Sequence, residues 1–240
     1  MTNHSPYGQS RPPRPNLDAV GGRGNRPVSV SPTRSDSELR GREEGGRRLA
    51  ELPEWQEASV IKANPDAPQL PVRRRALREG KVVYMAQPRL RDEKPFMKLD
   101  PAEIEDTDAA ATVSKMDGYA EPVAPDDVPH VDFIVSGSVA VTEEGTRIGK
   151  GEGYSDLEFA VLHALGAADD DTTITTTVHE VQLVDDAPAP EPHDVPMDVV
   201  VTPERVVRTE TTVERPDGID WEVLPEEKIE EIPLLQRLRP

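Results

Sequence analysis

Glu144-Gly-Thr-Arg-Ile-Gly-Lys-Gly-Glu-Gly-Tyr-Ser-Asp-Leu-Glu158 follows the most apolar run of the chain, Val131-Asp-Phe-Ile-Val-Ser-Gly-Ser-Val-Ala-Val141. It leads into a segment, Asp156 to Leu165, with Leu157, Ala160, Val161 and Ala164 on one helical face. Strand, glycine loop, helix is the order in which α/β folds place ligand-binding loops. Gly149, Gly151 and Gly153 alternate, so the backbone can take positive φ and approach an anion closely, and successive N–H groups in such a turn form an anion-binding concavity. Arg147 and Lys150 supply the positive charge that a triphosphate requires. Asp156, at the start of the helix, offers either a hard oxygen for Mg2+ or an N-cap. The spacing lacks the third glycine of a dinucleotide fingerprint and the Gly-Lys-Ser/Thr of a Walker loop. Taken alone, such a loop reads more often as a plain turn.

Outward from the loop the alternation continues. Upstream, Ala58-Ser-Val-Ile-Lys-Ala63 reads as a short strand, and Pro71 to Glu79 as a helix opened by proline and stopped by Gly80. Lys81-Val-Val-Tyr-Met-Ala86 then reads as a buried strand. Val131 to Val141 is expected to be one central strand, with Thr173 to Val178 and Met197 to Val201 as further strands. The pattern predicts an α/β fold, a three-layer sandwich with a mostly parallel sheet covered by helices. Leu49, Leu52 and Trp55 mark a helix from Glu43 that Pro53 truncates, and no helix is expected before Glu43. Residues 1–42, rich in Pro, Gly and Ser, read as a disordered basic arm, since residues 1–48 hold nine Arg against five acids. Residues 43–215 form the domain, and 216–240, with Trp221 and a helical pattern from Glu226 to Leu235, form a closing segment.

Composition excludes several classes. The absence of cysteine removes disulfides, thiol nucleophiles and cysteine-ligated metals. Five scattered histidines lack zinc-ligand spacing. No apolar run has the length of a membrane span or a signal peptide core, so a soluble cytoplasmic protein without a membrane partner is expected. A net charge of −18 argues against general nucleic-acid binding, except through the arm. Twenty-one Arg against seven Lys, with an excess of acids, resembles an intracellular protein of a high-salt organism.

Three stretches carry a family resemblance. Gly145-Thr-Arg-Ile-Gly-Lys-Gly-Glu-Gly-Tyr-Ser-Asp156 resembles the ATP-binding signature of 5-formyltetrahydrofolate cyclo-ligases, G-x-R-[LI]-G-x-G-x-G-Y-Y-D. His193-Asp-Val-Pro-Met-Asp-Val-Val-Val-Thr202 is similar to that family's H-D-V-x-[VM]-D-x-[VI]-[VI]-T. Gln87-Pro-Arg-Leu-Arg91 with Phe96-Met-Lys-Leu99 resembles the segment beside the family's folate pocket. Gly137-Ser-Val-Ala-Val141 brings the chain nearest to the methenyltetrahydrofolate synthetase domain-containing branch, whose animal members add an RNA-recognition module. The resemblance implies ATP- and Mg2+-dependent cyclisation of a small-molecule folate, 5-formyltetrahydrofolate, to the 5,10-methenyl form. It implies that Gly149, Gly151 and Gly153 hold phosphates and that Arg147 and Lys150 neutralise charge on the transferred group. Tyr154 would orient substrate, Asp156 would bind Mg2+, and Arg89 and Met97 would face the pterin and glutamate side. Ser155 departs from the signature's second Tyr. The family's first helix, whose Lys and Arg grip ATP, has no counterpart before Glu43, leaving Arg40, Arg42, Arg47 and Arg48 as candidates for that role. The alternative is a catalytically silent nucleotide- or RNA-binding module of the same fold. A sugar-phosphate isomerase lacks its carboxylate pair. His163, His179, His193, Asp194 and Glu152 read as structural or solvated groups, and the oligomeric state is open.

Overall fold

The computed structural model describes residues 32–240, with side chains from residue 38. Residues 1–31 of the expected arm lie outside the described residues. Eight strands form one sheet in the order β10-β9-β8-β5-β1-β2-β3-β4. Its centre, β9 (Val199–Val201), β8 (Thr173–Thr177), β5 (Phe133–Val135), β1 (Val60–Ala63) and β2 (Val82–Ala86), is parallel throughout. Antiparallel strands finish both edges: β10 (Val206–Arg208) on one side, β3 (Phe96–Leu99) and β4 (Glu121–Val123) on the other.

The pleat sends alternate residues into two cores. Ile61 and Ala63 of β1, Val83 and Met85 of β2, and Phe133 and Val135 of β5 face one layer of helices. That layer holds α1 (Pro32–Leu49), α2 (Pro53–Glu57), α3 (Leu70–Arg78) and α4 (Thr107–Ala110). Tyr84, Ala86, Ile134 and Val200 face the other layer, made by α5 (Tyr154–Ala164), α6 (Glu226–Glu231) and α7 (Pro233–Leu238). The three-layer α/β arrangement read from the sequence is therefore the one observed. In α3, Val72, Ala76 and Leu77 are buried on the sheet side. Trp55 of α2 is fully buried edge-on against Phe133, with ring centroids 5.6 Å apart, and its indole N–H donates to Glu79 at 2.7 Å. An aromatic pair of this kind adds about 0.5–1.5 kcal/mol beyond its buried area.

Three expectations change. Helix α1 begins at Pro32, eleven residues before Glu43, and so crosses the expected boundary at residue 42. Pro53 opens a second helix, since proline lacks only an N–H that the first turn leaves unpaired. Val131 to Val141 is two strands: β5 ends at Val135, and Ala140–Val141 is β6, which pairs antiparallel with β7 (Arg147–Ile148) in a separate hairpin. The chain leaves the sheet at Gly137, where an added Cβ would stand 2.5 Å from the Asp66 carboxylate.

The topology reverses between β1 and β5. From β1 the chain moves one way, through α3 to β2; β5 lies on the other side and leads to α5 on the opposite face. Ligands of open α/β sheets bind at such a switch point, beyond the carboxyl ends of the strands.

Candidate functional site

A cavity of about 840 Å³ opens at that switch point. Its walls are the β1–α3 connection (Asn64, Asp66, Gln69), the end of β2 (Ala86, Gln87, Arg89), the whole loop Gly149–Asp156, and Thr177 to Gln182. Helix α1 contributes Glu38, Gly41, Arg42 and Gly45. An added Cβ on Gly45 meets nothing within 4 Å, so this face of α1 leaves the cavity open.

The β6–β7 hairpin delivers Arg147. Its turn is tied down where Met197 N–H donates to Gly145 carbonyl oxygen at 2.9 Å. Arg147 is 6 % exposed at its side chain; it donates to Asp156 Oδ2 at 2.5 Å and to the Gly137 carbonyl at 3.2 Å. Asp156 is 3 % exposed, and its other oxygen accepts from Val195 N–H at 3.1 Å. The loop between them is shaped by its glycines. Gly149 lies against the Arg147 guanidinium, where a Cβ would come to 2.7 Å, and Gly153 takes φ 67° to open α5. The first N–H groups of α5, at Tyr154 and Ser155, thus border the cavity without a side-chain cap, which is the geometry that favours an anion.

Lys150 is 71 % exposed and reaches Asp66 Oδ1 at 2.8 Å. Both cations of the loop are therefore held by carboxylates, Arg147 in a buried pair and Lys150 in an open one. Tyr154 lies under the Lys228 ammonium, 4.4 Å from ring centroid to Nζ, and Lys228 also donates to the Glu152 carbonyl at 3.0 Å. Burial raises the Tyr154 phenol above its ordinary pKa, so it remains a hydrogen-bond donor at neutral pH. Burial also lowers Lys228, to about 8.

Arg89 and its neighbour Leu90 adopt φ of 62° and 52°, an uncommon region for residues with a Cβ. This strained pair sets Arg89 in the cavity wall. Met97 is elsewhere: it is buried on β3, paired in register with Met85, and does not line the cavity. Its sulfur accepts from Gln87 Nε2 at 3.2 Å. The other sequence-derived residues, Arg147, Gly149, Lys150, Gly151, Gly153, Tyr154, Asp156 and Arg89, all border one space.

A model of the 5-formyltetrahydrofolate cyclo-ligase family matches residues 28–203. The chain belongs to the 5-formyltetrahydrofolate cyclo-ligase family. The methenyltetrahydrofolate synthase domain-containing protein of Danio rerio is 37% identical over 205 residues, covering 84% of this chain and 53% of that protein. Its Mus musculus counterpart is 39% identical over 205 residues, covering 84% and 55%. The chain thus spans about half the length of these curated relatives. Among solved structures, the 5,10-methenyltetrahydrofolate synthetase of Aquifex aeolicus superposes with a TM-score of 0.51 at 22% identity, covering 75% of this chain and 87% of that one. That likeness is one of fold.

For a member of the cyclo-ligase family, α1 matters most among the corrected expectations. Of the four arginines weighed for a grip on ATP, Arg42 lines the cavity. Arg47 is bound to Glu44 and Glu51, and Arg48 to Glu44 and the Pro203 carbonyl. Arg40 does not line the cavity. The sequence reading also passed over the cavity floor. Lys62 of β1 is fully buried, paired with Glu158 of α5 and donating to Asn64 Oδ1 at 3.1 Å, while Asn64 Nδ2 donates to Ser155 Oγ at 3.0 Å. A lysine within the apolar strand Val60-Ile-Lys-Ala63 was the available signal.

Among the described residues no group of three His, Asp or Glu side chains is placed to hold a metal ion. Mg2+ characteristically takes one or two carboxylates, with phosphate oxygens and water completing its shell. Each Asp156 oxygen accepts one hydrogen bond and keeps a second lone pair, so Asp156 fits as a single ligand to a cation that arrives with a phosphorylated partner.

Proposed function

We propose that this chain carries out ATP-dependent cyclisation of 5-formyltetrahydrofolate to 5,10-methenyltetrahydrofolate. One observation carries the reading: the glycine loop, the start of α5, Arg42 of α1 and Arg89 of the β2–β3 connection all open into one cavity at the sheet's switch point. The formyl oxygen attacks the γ-phosphoryl group, ADP leaves, N10 closes on the activated carbon, and that oxygen departs with phosphate. The protein's task in such a sequence is positioning and charge stabilisation.

The backbone from Gly149 to Gly153 and the first amides of α5 hold the phosphates, with Arg42 and Lys150 supplying cations. Arg147, fixed by Asp156, keeps its charge aimed at the loop without a long flexible search. Tyr154, protonated at neutral pH, orients an oxygen of substrate or phosphate. Arg89 meets the folate's anionic tail. Mg2+ on Asp156 would supply further charge neutralisation at the phosphates. Names of the relatives and family support this assignment of substrate.

The test is the absorbance of the methenyl product with protein, 5-formyltetrahydrofolate, ATP and Mg2+ at high salt. Lys150→Ala is expected to lower kcat/KM by about a hundredfold or more, the scale of removing one charge-stabilising contact, and to leave folding intact because Lys150 is largely exposed. Nucleotide binding by the native chain without turnover would instead favour the silent binding module.

A further inference from the structure

We propose that Gln69 is a ligand-binding residue, its side-chain NH2 donating to an anionic oxygen of a phosphorylated ligand beside Gly137; the choice of phosphate rests on the function proposed above. Gln69 stands just before α3 and is 1 % exposed. Its Oε1 accepts from Asn64 N–H at 2.9 Å. Only the oxygen of a carboxamide can accept that bond, so the NH2 is directed away from Asn64. Among the described residues this Nε2 has no hydrogen-bond partner. A buried donor without an acceptor costs free energy and is rare in native proteins.

The surroundings say what the missing acceptor is. Gln69 and Gly137 both line the cavity. The point where a Cβ would stand on Gly137 is 3.7 Å from Gln69 Nε2 and 2.5 Å from Asp66 Oδ2. Asp66 Oδ1 in turn accepts from Lys150 Nζ at 2.8 Å. The Gly137 edge of the cavity is thus faced by one neutral donor and by the Asp66 carboxylate, whose other oxygen holds the Lys150 ammonium. An incoming phosphoryl oxygen takes the Gln69 donor and draws Lys150 away from Asp66. A cationic or purely apolar ligand leaves the donor unsatisfied.

Two variants separate ligand binding from local structure. Gln69→Glu keeps an oxygen for Asn64 N–H and replaces the free donor by an acceptor, whereas Gln69→Met removes both. Calorimetry would measure inorganic pyrophosphate and a non-hydrolysable ATP analogue against native chain and variants, with melting temperatures alongside. Both variants should bind both probes about ten- to a hundredfold more weakly, the weight of a hydrogen bond to a charged group. The melting temperatures report what each substitution costs the fold, since Gln69→Glu places a carboxylate at a buried position. If Gln69→Glu binds pyrophosphate as the native chain does, the residue serves only Asn64 and the proposal is overturned. A native chain that binds neither probe also overturns it. Pyrophosphate binding that depends on Gln69 in a chain without folate turnover would sink the ligase reading and leave this one standing.

Discussion

Arg147 and Asp156 stand nine positions apart in the sequence, yet they meet as a buried pair. A buried pair of this kind stabilises little relative to apolar neighbours, because two charges must be desolvated, but removing one partner strands the other. Asp156→Asn keeps the acceptor for Val195 N–H and withdraws the charge facing Arg147. Its expected cost is on the order of 3 kcal/mol in a urea titration. Adding Arg147→Met to Asp156→Asn removes the stranded charge and keeps the acceptor for Val195 N–H, so it should recover part of that loss while abolishing nucleotide binding. A loss in the double variant equal to the sum of the losses in Arg147→Met and Asp156→Asn alone would mean the two side chains are not coupled. Glycine has a comparable role at the same loop. At Gly149 a methyl group would collide with the guanidinium, so the motif's second glycine makes room for an arginine, and at Gly153 the residue permits the left-handed turn that opens α5. The motif was legible because these demands are local. Gln69, Asn64 and Lys62 were not, since Asn64-Pro-Asp-Ala-Pro-Gln69 reads as an ordinary turn until the fold sets it opposite Gly137.

Element by element, the strands and helices that read well were those with their own apolar period: β1, α3, β2, α5 and β8 all lie within a few residues of their expected bounds. The antiparallel strands β3, β4 and β10 are three or four residues long, and β4 contains Pro122, so pairing with a neighbour defines them rather than pattern. The part of helix α1 before Glu43 was missed for a different reason. Gly41, Gly45 and Gly46 depress its propensity, but Gly46 lies 3.3 Å, by its missing Cβ, from Pro71 of α3, and Gly41 fits against His179 and Pro203. The glycines that hide the helix are what let it pack. At the other end, α6 carries Lys228 onto the glycine loop. Burial sets its folded pKa near 8 against 10.5 for the free side chain. The unfolded chain therefore binds the extra proton more readily, and the group destabilises the fold below about pH 8; that penalty fades as pH rises from 8 to 10.5. The melting temperature of the native chain minus that of Lys228→Met is expected to increase across this window, and a difference independent of pH would show that Lys228 titrates normally.

For the whole molecule, the deciding quantity is charge. The chain carries a net −18 with a basic first fifth, so the described α/β body is more acidic still. Arginines at the surface are engaged by carboxylates, as in Arg208 with Glu54, Arg237 with Asp126 and Arg239 with Glu226. Exposed pairs of this sort contribute about 0–1 kcal/mol each and weaken with salt, though contact at hydrogen-bond distance makes them less sensitive to it than charges farther apart. Repulsion among the excess acids acts over longer separations, and there salt is effective: the Debye length falls from about 30 Å at 0.01 M to about 3 Å at 1 M. The two effects oppose each other, and the long-range one is removed first. Sodium chloride is accordingly expected to raise the melting temperature between 0.02 and 1 M, with most of the gain complete by the concentration at which the Debye length drops below the spacing of surface acids. Neutral substitution of carboxylates remote from the cavity, such as Glu103→Gln with Asp117→Asn, should reproduce part of that gain at low salt. A melting temperature that falls with salt would mean that the ion pairs outweigh the repulsion, and that the acidic surface is held together by its arginines instead of strained by its acids.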